Sequence, residues 1–230
     1  MNIQTLLSFF LFLAFSSHMT ASAQHLQLRY LALGDSYTIG EGVEERDRFP
    51  NQVVQAWNAS SSLGFFPPTL IAKTGWTVDE LEAGIEANPP SSEGYDMVTL
   101  LIGVNNQYRG RTSAAFALDF EKMLQRAIAY AKGKKNRVMV LSIPDWGVTP
   151  FARSKGLDPA KIASEIGAYN GVKKEICDRY GIVFIDITSD YRKGGGNPES
   201  LADDQLHPSG RQYTSWADKV IQVMKTIDFN

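Results

Sequence analysis

The stretch "LALGDSYTIGEG" (residues 31–42) starts as an apolar run and then breaks into Gly34-Asp35-Ser36, with two more glycines close behind. A plain connection needs a Gly or an Asn and has no use for a serine displayed in this way. The run before it, "LQLRYLALG" (26–34), reads as a strand. Four similar runs follow: "TLIAKTG" (69–75), "DMVTLLIG" (96–103), "RVMVLSIP" (137–144) and "IVFIDIT" (182–188). Most are nearly continuous apolar segments, the pattern of strands covered on both faces in a parallel sheet.

The segments between them read as helices. Phe116, Phe120, Met123, Ala127 and Ala131 recur at spacings of three and four, and Ile162, Ile166, Tyr169, Ile176 and Tyr180 do much the same, at three, four and seven. The second of these helices opens with Asp158 as cap and Pro159 at its first position. The last helix opens at Ser209, where Gln212 three residues on suggests a capping box. Strands alternating with helices predict an α/β fold, a three-layer α/β/α sandwich with right-handed crossovers around a five-stranded parallel sheet. "SSSLGFFPP" (60–68) and "RKGGGNP" (192–198) read as loops, the second as a flexible loop or flap. Cys177 sits beside Ile176 on the helical pattern and reads as a small core residue.

The chain has 230 residues, a net charge of −2, one cysteine and three histidines. Its first residues are of another kind. "LLSFFLFLAF" (6–15) has the length of a signal-peptide core, and "ASA" (21–23) is a small-x-small cleavage site. A signal peptide over 1–23 and one domain over 24–230 are expected, with the mature protein secreted or periplasmic. No stable membrane insertion is expected after cleavage. The charge balance gives no reason to bind nucleic acid. One cysteine excludes an internal disulfide, and so few histidines argue against a Cys/His zinc site.

In parallel α/β sheets, sites form beyond the carboxyl ends of the strands. Strand one ends in Gly34-Asp35-Ser36, strand two in Thr74-Gly75-Trp76, and strand three in Gly103-Val104-Asn105-Asn106. "DDQLHPSG" (203–210) follows strand five. Acyl transfer needs these residue types. A serine hydroxyl is a weak nucleophile and needs a base such as imidazole, which a carboxylate then orients. N–H groups must face the oxygen that becomes negative. Ser36 is the candidate nucleophile and His207 the base, since the other histidines lie in or next to the leader. Asp204, or Asp203 beside it, is the orienting carboxylate. The N–H groups of Ser36 and Gly75, with the amide of Asn105 or its neighbour Asn106, are the oxyanion candidates. Asp35 reads as a structural residue that hydrogen-bonds the surrounding loops.

These four blocks resemble the SGNH hydrolases, the GDSL esterase/lipase family. "GDS" at 34–36, Gly75 in "KTGWT", "GVNN" at 103–106 and "DQLH" at 204–207 stand in the family's order. The resemblance implies Ser36, Asp204 and His207 as the triad, and Gly75 and Asn105 as oxyanion donors beside the Ser36 N–H. It also implies a flavodoxin-like sheet order, 2-1-3-4-5. Position 37 departs from the family name, with Tyr in place of Leu, and so Tyr37 reads as part of an altered pocket wall. No G-x-S-x-G is present, which argues against the α/β-hydrolase elbow.

Asn106, Tyr108, Arg109 and Trp146 are further candidates for substrate contact. Arg109 either holds an anionic group on the substrate or is ion-paired, and Trp146 either lines the pocket or belongs to the core. The expected activity is hydrolysis of acyl esters through an acyl-enzyme, without metal or organic cofactor. The expected substrates carry short acyl groups such as acetyl, with carbohydrate esters among them. A lipid acyl hydrolase of lysophospholipase or thioesterase type, and an acyltransferase, would use the same triad. A non-catalytic carbohydrate-binding domain is the rival outside enzymology, and it predicts no covalent adduct with a fluorophosphonate.

Overall fold

Each apolar run yields a strand shorter than itself. In the computed structural model, which describes residues 27–229, the strands are β1 (Tyr30–Gly34), β2 (Thr69–Ala72), β3 (Met97–Leu101), β4 (Val138–Leu141) and β5 (Val183–Ile185). The expected leader and cleavage site (1–23) lie outside the described residues. All four pairings are parallel, and the sheet order is β2-β1-β3-β4-β5. Every residue of β1, β3 and β4 is buried, while β2 and β5 are partly open as edge strands. The unbroken apolar patterns of the central strands follow from that double coverage.

The helices of the described residues are α1 (Ser36–Ile39), α2 (Phe49–Ser60), α3 (Val78–Ala87), α4 (Val104–Tyr108), α5 (Ser113–Tyr130), α6 (Pro150–Ser154), α7 (Pro159–Tyr180), α8 (Thr188–Gly194) and α9 (Gly210–Met224). None is long and apolar enough to cross a membrane. The chain reverses direction across the sheet after β2. Right-handed crossovers therefore put α2 on one face and α3, α5 and α7 on the other. The packing agrees, with α2 against α9, and α5 against both α3 and α7. Phe116, Phe120, Met123 and Leu124 of α5 and Ile162, Ile166, Tyr169 and Ile176 of α7 supply the apolar faces, and Cys177 is buried among them.

The helix starts follow local chemistry. The Asp158 side chain accepts from the Ala160 N–H, with Pro159 in the first turn. Thr77 and Glu80 form a full capping box at α3. At α9 only half of the expected box forms. The Ser209 hydroxyl accepts from the Gln212 N–H, but the Gln212 amide turns to the Ser215 hydroxyl, and the Ser209 N–H donates to the Ser200 carbonyl.

A second correction concerns residues 192–198. They do not form a loop throughout, because α8 continues to Gly194. Tertiary contacts hold this turn in place. Arg192 Nε donates to Asp145 Oδ2 at 2.8 Å, and the Tyr191 hydroxyl donates to the Leu206 carbonyl. Two short helices, α1 and α4, begin directly after the strands that carry the candidate residues. They lie at the point where the strand order reverses between β1 and β3, the place in such sheets where a crevice opens.

Candidate active site

β1 runs to Gly34 and the chain turns at once into α1. The turn is possible because Gly34 has no side chain: a Cβ there would lie 2.1 Å from Thr38 Oγ1 and 2.3 Å from the Leu101 carbonyl oxygen. Asp35 caps the helix, accepting the Tyr37 N–H on Oδ1 at 3.0 Å. Ser36 is the first residue of α1, and its hydroxyl lies 2.9 Å from His207 Nε2.

The histidine arrives from the other end of the chain. Gln205 adopts a left-handed backbone, with φ of 58°, and its bend folds Asp204 back onto the segment that follows. Asp204 Oδ1 accepts the N–H groups of Leu206 and His207, both at 2.9 Å, and Oδ2 lies 2.5 Å from His207 Nδ1. Burial alone would raise the Asp204 carboxyl. The His207 ring and these two N–H donors outweigh it and hold the carboxyl below its ordinary range. An ionised carboxylate can only accept, so Nδ1 carries the proton and Nε2 is left to accept from Ser36.

Three further contacts fix the loop. Ala202 N–H donates to the His207 carbonyl at 2.8 Å, Phe151 N–H to the Gln205 carbonyl at 3.2 Å, and the Tyr191 hydroxyl to the Leu206 carbonyl. The Tyr37 ring sits 5.2 Å from the imidazole, centre to centre, and is backed by Tyr191 and Trp216. Position 37 thus packs against the His207 imidazole as well as walling the pocket.

Gly75 lies beyond the end of β2, in a turn closed by the Trp76 N–H on the Lys73 carbonyl at 3.2 Å. Its φ of +84° is that of the third residue of a type II turn, a position that favours glycine. Asn105 lies in the first turn of α4, and its amide donates one hydrogen to the Trp76 carbonyl at 2.9 Å. The second amide hydrogen remains for another acceptor. Among the described residues, the N–H groups of Ser36 and Gly75 have no protein acceptor.

A cavity of about 210 Å³ joins these groups. Ser36, Gly75, Asn105 and His207 line it on the polar side, and Tyr37, Tyr108, Trp146 and Phe151 among others on the apolar side. No Asp, Glu, Lys or Arg is in its lining. Tyr108 is largely exposed and meets Trp146 edge-on at 5.4 Å, while Trp146 is buried and its indole N–H donates to Gln107 Oε1 at 2.9 Å.

Two of the predicted residues lie off this lining. Asn106 is buried, and its Oδ1 accepts the Val78 N–H at 3.1 Å, so it ties α4 to α3. Arg109 is ion-paired, the second of the two readings given it: its guanidinium meets Glu80 at 3.0 Å and the Gly75 carbonyl at 2.7 Å. Four lining residues had not been singled out: Thr74, Val104, Phe151 and Leu206. Leu206, between Asp204 and His207 in sequence, was the most accessible of these. Among the described residues no cluster of three His, Cys, Asp or Glu is placed to hold a metal ion.

A family model, that of the GDSL-like lipase/acylhydrolase family, matches residues 32–214. The chain belongs to this family. It is a hydrolase of the GDSL, or SGNH, esterase-lipase class. No curated protein matches it in sequence.

Solved structures share the fold of this GDSL hydrolase. An acetylxylan esterase, Axe2, from Geobacillus stearothermophilus is 16% identical with a TM-score of 0.67, over 89% of this chain and 98% of that one. A lipase/acylhydrolase from Enterococcus faecalis is 20% identical with a TM-score of 0.64, over 86% and 96%. A member of the lipolytic G-D-S-L family from Veillonella parvula DSM 2008 is 18% identical with a TM-score of 0.64, over 86% and 99%.

Proposed function

We propose that this GDSL hydrolase is a serine esterase that cleaves short acyl esters through an acyl-enzyme. The observation that carries the reading is the continuous relay from Ser36 Oγ through the His207 ring to the Asp204 carboxylate. In acylation the Ser36 proton passes to His207 Nε2 as Oγ attacks the carbonyl carbon. The carbonyl oxygen becomes an oxyanion, which the Ser36 and Gly75 N–H groups and the free Asn105 amide hydrogen receive. His207 then gives its Nε2 proton to the leaving alcohol, and the C–O bond breaks. Water repeats the sequence: it loses a proton to Nε2, attacks the acyl carbon, and releases the acid as Ser36 regains its proton.

The cavity argues for small neutral acyl groups. Its volume of about 210 Å³ falls below the ~300–1,000 Å³ of sites that enclose drug-sized ligands. Its lining holds no Lys or Arg to pair with a phosphate or carboxylate on the substrate. An acetyl ester on a carbohydrate fits, since the apolar wall takes the methyl group while the exposed Tyr108 ring gives a sugar a surface to stack on. The acetylxylan esterase among the structures of this fold lends support to that choice. On the reading of its leader, we place the mature enzyme outside the cytoplasm, secreted or periplasmic. Mass spectrometry finding Gln24 as the first residue of the exported protein would support this placement.

Ser36→Ala tests the reaction. The variant is expected to keep its fold while losing turnover of p-nitrophenyl acetate and labelling by a fluorophosphonate. Retained turnover ends the assignment. A screen of esters from C2 to C16 with acetylated xylan and lysophosphatidylcholine separates short-acyl from lipid hydrolysis. Product analysis with a competing alcohol reveals an acyltransferase.

A further inference from the structure

Two of the oxyanion candidates, Gly75 and Asn105, come from different elements and are joined by one residue. Arg109 ends α4, and its backbone N–H donates to the Asn105 carbonyl at 3.1 Å. Its guanidinium crosses to the turn after β2 and donates to the Gly75 carbonyl at 2.7 Å. The Asn105 amide closes the ring by donating to the Trp76 carbonyl at 2.9 Å. Glu80 anchors the far side of Arg109. One of its oxygens takes the guanidinium at 3.0 Å and the other takes the Thr77 N–H at 2.9 Å, so the arginine is held to the helix cap that ends the same turn.

We propose that Arg109 is a positioning residue for the oxyanion hole, acting by fixing the peptide that follows Gly75. The need for such a clamp lies in Gly75 itself. A glycine at φ of +84° has no side chain to restrict it, and a turn of this kind can rotate its central peptide, which carries the Gly75 N–H. Rotation would aim that N–H away from the cavity. The guanidinium bond restrains the adjoining peptide plane and leaves the N–H free, and the bond is charge-assisted, with Glu80 setting the direction of the planar fork.

Stability does not account for the arrangement. Arg109 and Glu80 are each about two-fifths exposed (43% and 39%), and pairs of that kind add little to folding. The effect of Arg109 belongs to geometry, where displacement of a reacting group by about 1 Å costs up to ~10²-fold in rate.

The inference rests on the esterase reading, and the experiment separates the two. Wild type, Arg109→Ala, Arg109→Lys and Glu80→Gln are assayed with p-nitrophenyl acetate, with a neutral and an anionic ester of equal acyl length, and by urea unfolding. An inactive wild type removes the esterase reading. Given an active wild type, Arg109→Ala is expected to lose ~10–10²-fold in kcat, with KM for the neutral ester within about twofold and the urea midpoint nearly unchanged. Arg109→Lys and Glu80→Gln should fall between, and millimolar guanidinium should restore part of the activity of Arg109→Ala. Unchanged kcat in all three variants overturns the proposal. So does a rise in KM confined to the anionic ester, which would make Arg109 a substrate contact, or a kcat loss that matches the unfolded fraction. Should Arg109→Ala fail to fold, the Lys and Gln variants carry the same test.

Discussion

Replacing Asp204 by Asn changes one atom of the proposed relay and has a consequence that the geometry dictates. Oδ1 of Asp204 accepts two backbone N–H groups, from Leu206 and His207. An Asn in that place must put its carbonyl oxygen there, because its NH₂ would face two donors. The NH₂ then faces His207 Nδ1 in place of Oδ2. Since it can only donate, it requires Nδ1 to be unprotonated, and the ring proton moves to Nε2. Nε2 then cannot accept the Ser36 proton. The expected loss in kcat is ~10⁴-fold near neutral pH, the size of effect that goes with a wrong histidine tautomer. The loop keeps both N–H bonds, now to a neutral acceptor, so the stability loss stays at or below ~2 kcal/mol, small because Asp204 is partly exposed.

The pH dependence of that loss has a definite sign. The Asp204 carboxyl is held below its ordinary value of 3.8 in the folded protein. The stability it contributes is complete above that value and is lost as the pH falls below it. The wild type and Asp204→Asn should therefore differ most in urea midpoint above about pH 4 and converge in stronger acid. Asp204→Ala, which strips both N–H groups of their acceptor, should be less stable than Asn at neutral pH. Turnover of p-nitrophenyl acetate by Asp204→Asn within tenfold of wild type, in a folded protein, would refute the reasoning about the relay.

Asn105→Ala should lower kcat by ~10²–10³-fold, the usual loss for one oxyanion donor, and an unchanged kcat would remove Asn105 from the hole. Asp35 gives a prediction on stability: burial, opposed in part by the Tyr37 N–H and by Lys173, pushes its carboxyl up to about 7. The folded state then binds more protons than the unfolded one between about pH 4 and 7, and wild-type stability falls across that window as pH rises. Asp35→Asn, which keeps an acceptor for the Tyr37 N–H, should gain on wild type over the same window in urea titrations at several pH values, and a constant gap would refute it. Lys173, wholly buried, donates to the Ile102 and Leu141 carbonyls at 3.0 and 2.8 Å. Lys173→Ala, which orphans both carbonyls and leaves a void, should cost ~2–5 kcal/mol in urea unfolding.

The strands and the proposed triad were legible for a shared reason. Three of the polar blocks sit just past an apolar run, and a parallel sheet sends those ends to one edge; the fourth, with Asp204 and His207, follows β5 only after α8 and leads into α9. Ser36 and His207 are 171 positions apart, yet no side-chain detail was needed to pair them, because His207 is the one histidine in the sequence beyond residue 25. The strand ends themselves were overread. β2 stops at Ala72, and Gly75 belongs to a turn, whose left-handed residue is a local matter that a lone glycine announces only weakly.

What the sequence withheld about "NNQYRGR" (105–111) follows from one unrecognised element. Five residues are too few for an apolar period to declare a helix, so α4 went unread and its residues could be taken only as a group near the site. Once α4 is a helix, its side chains sort themselves. Asn105 and Tyr108, three apart, share a face and reach the cavity, whereas Asn106, about 100° around the axis from Asn105, turns to the Val78 N–H. Arg109, four beyond Asn105, returns to the same side but lies a full turn further along, over the Gly75 carbonyl and beyond the cavity lining. The same spacing that keeps Arg109 off the cavity lining puts it within reach of both Gly75 and Asn105, the oxyanion candidates.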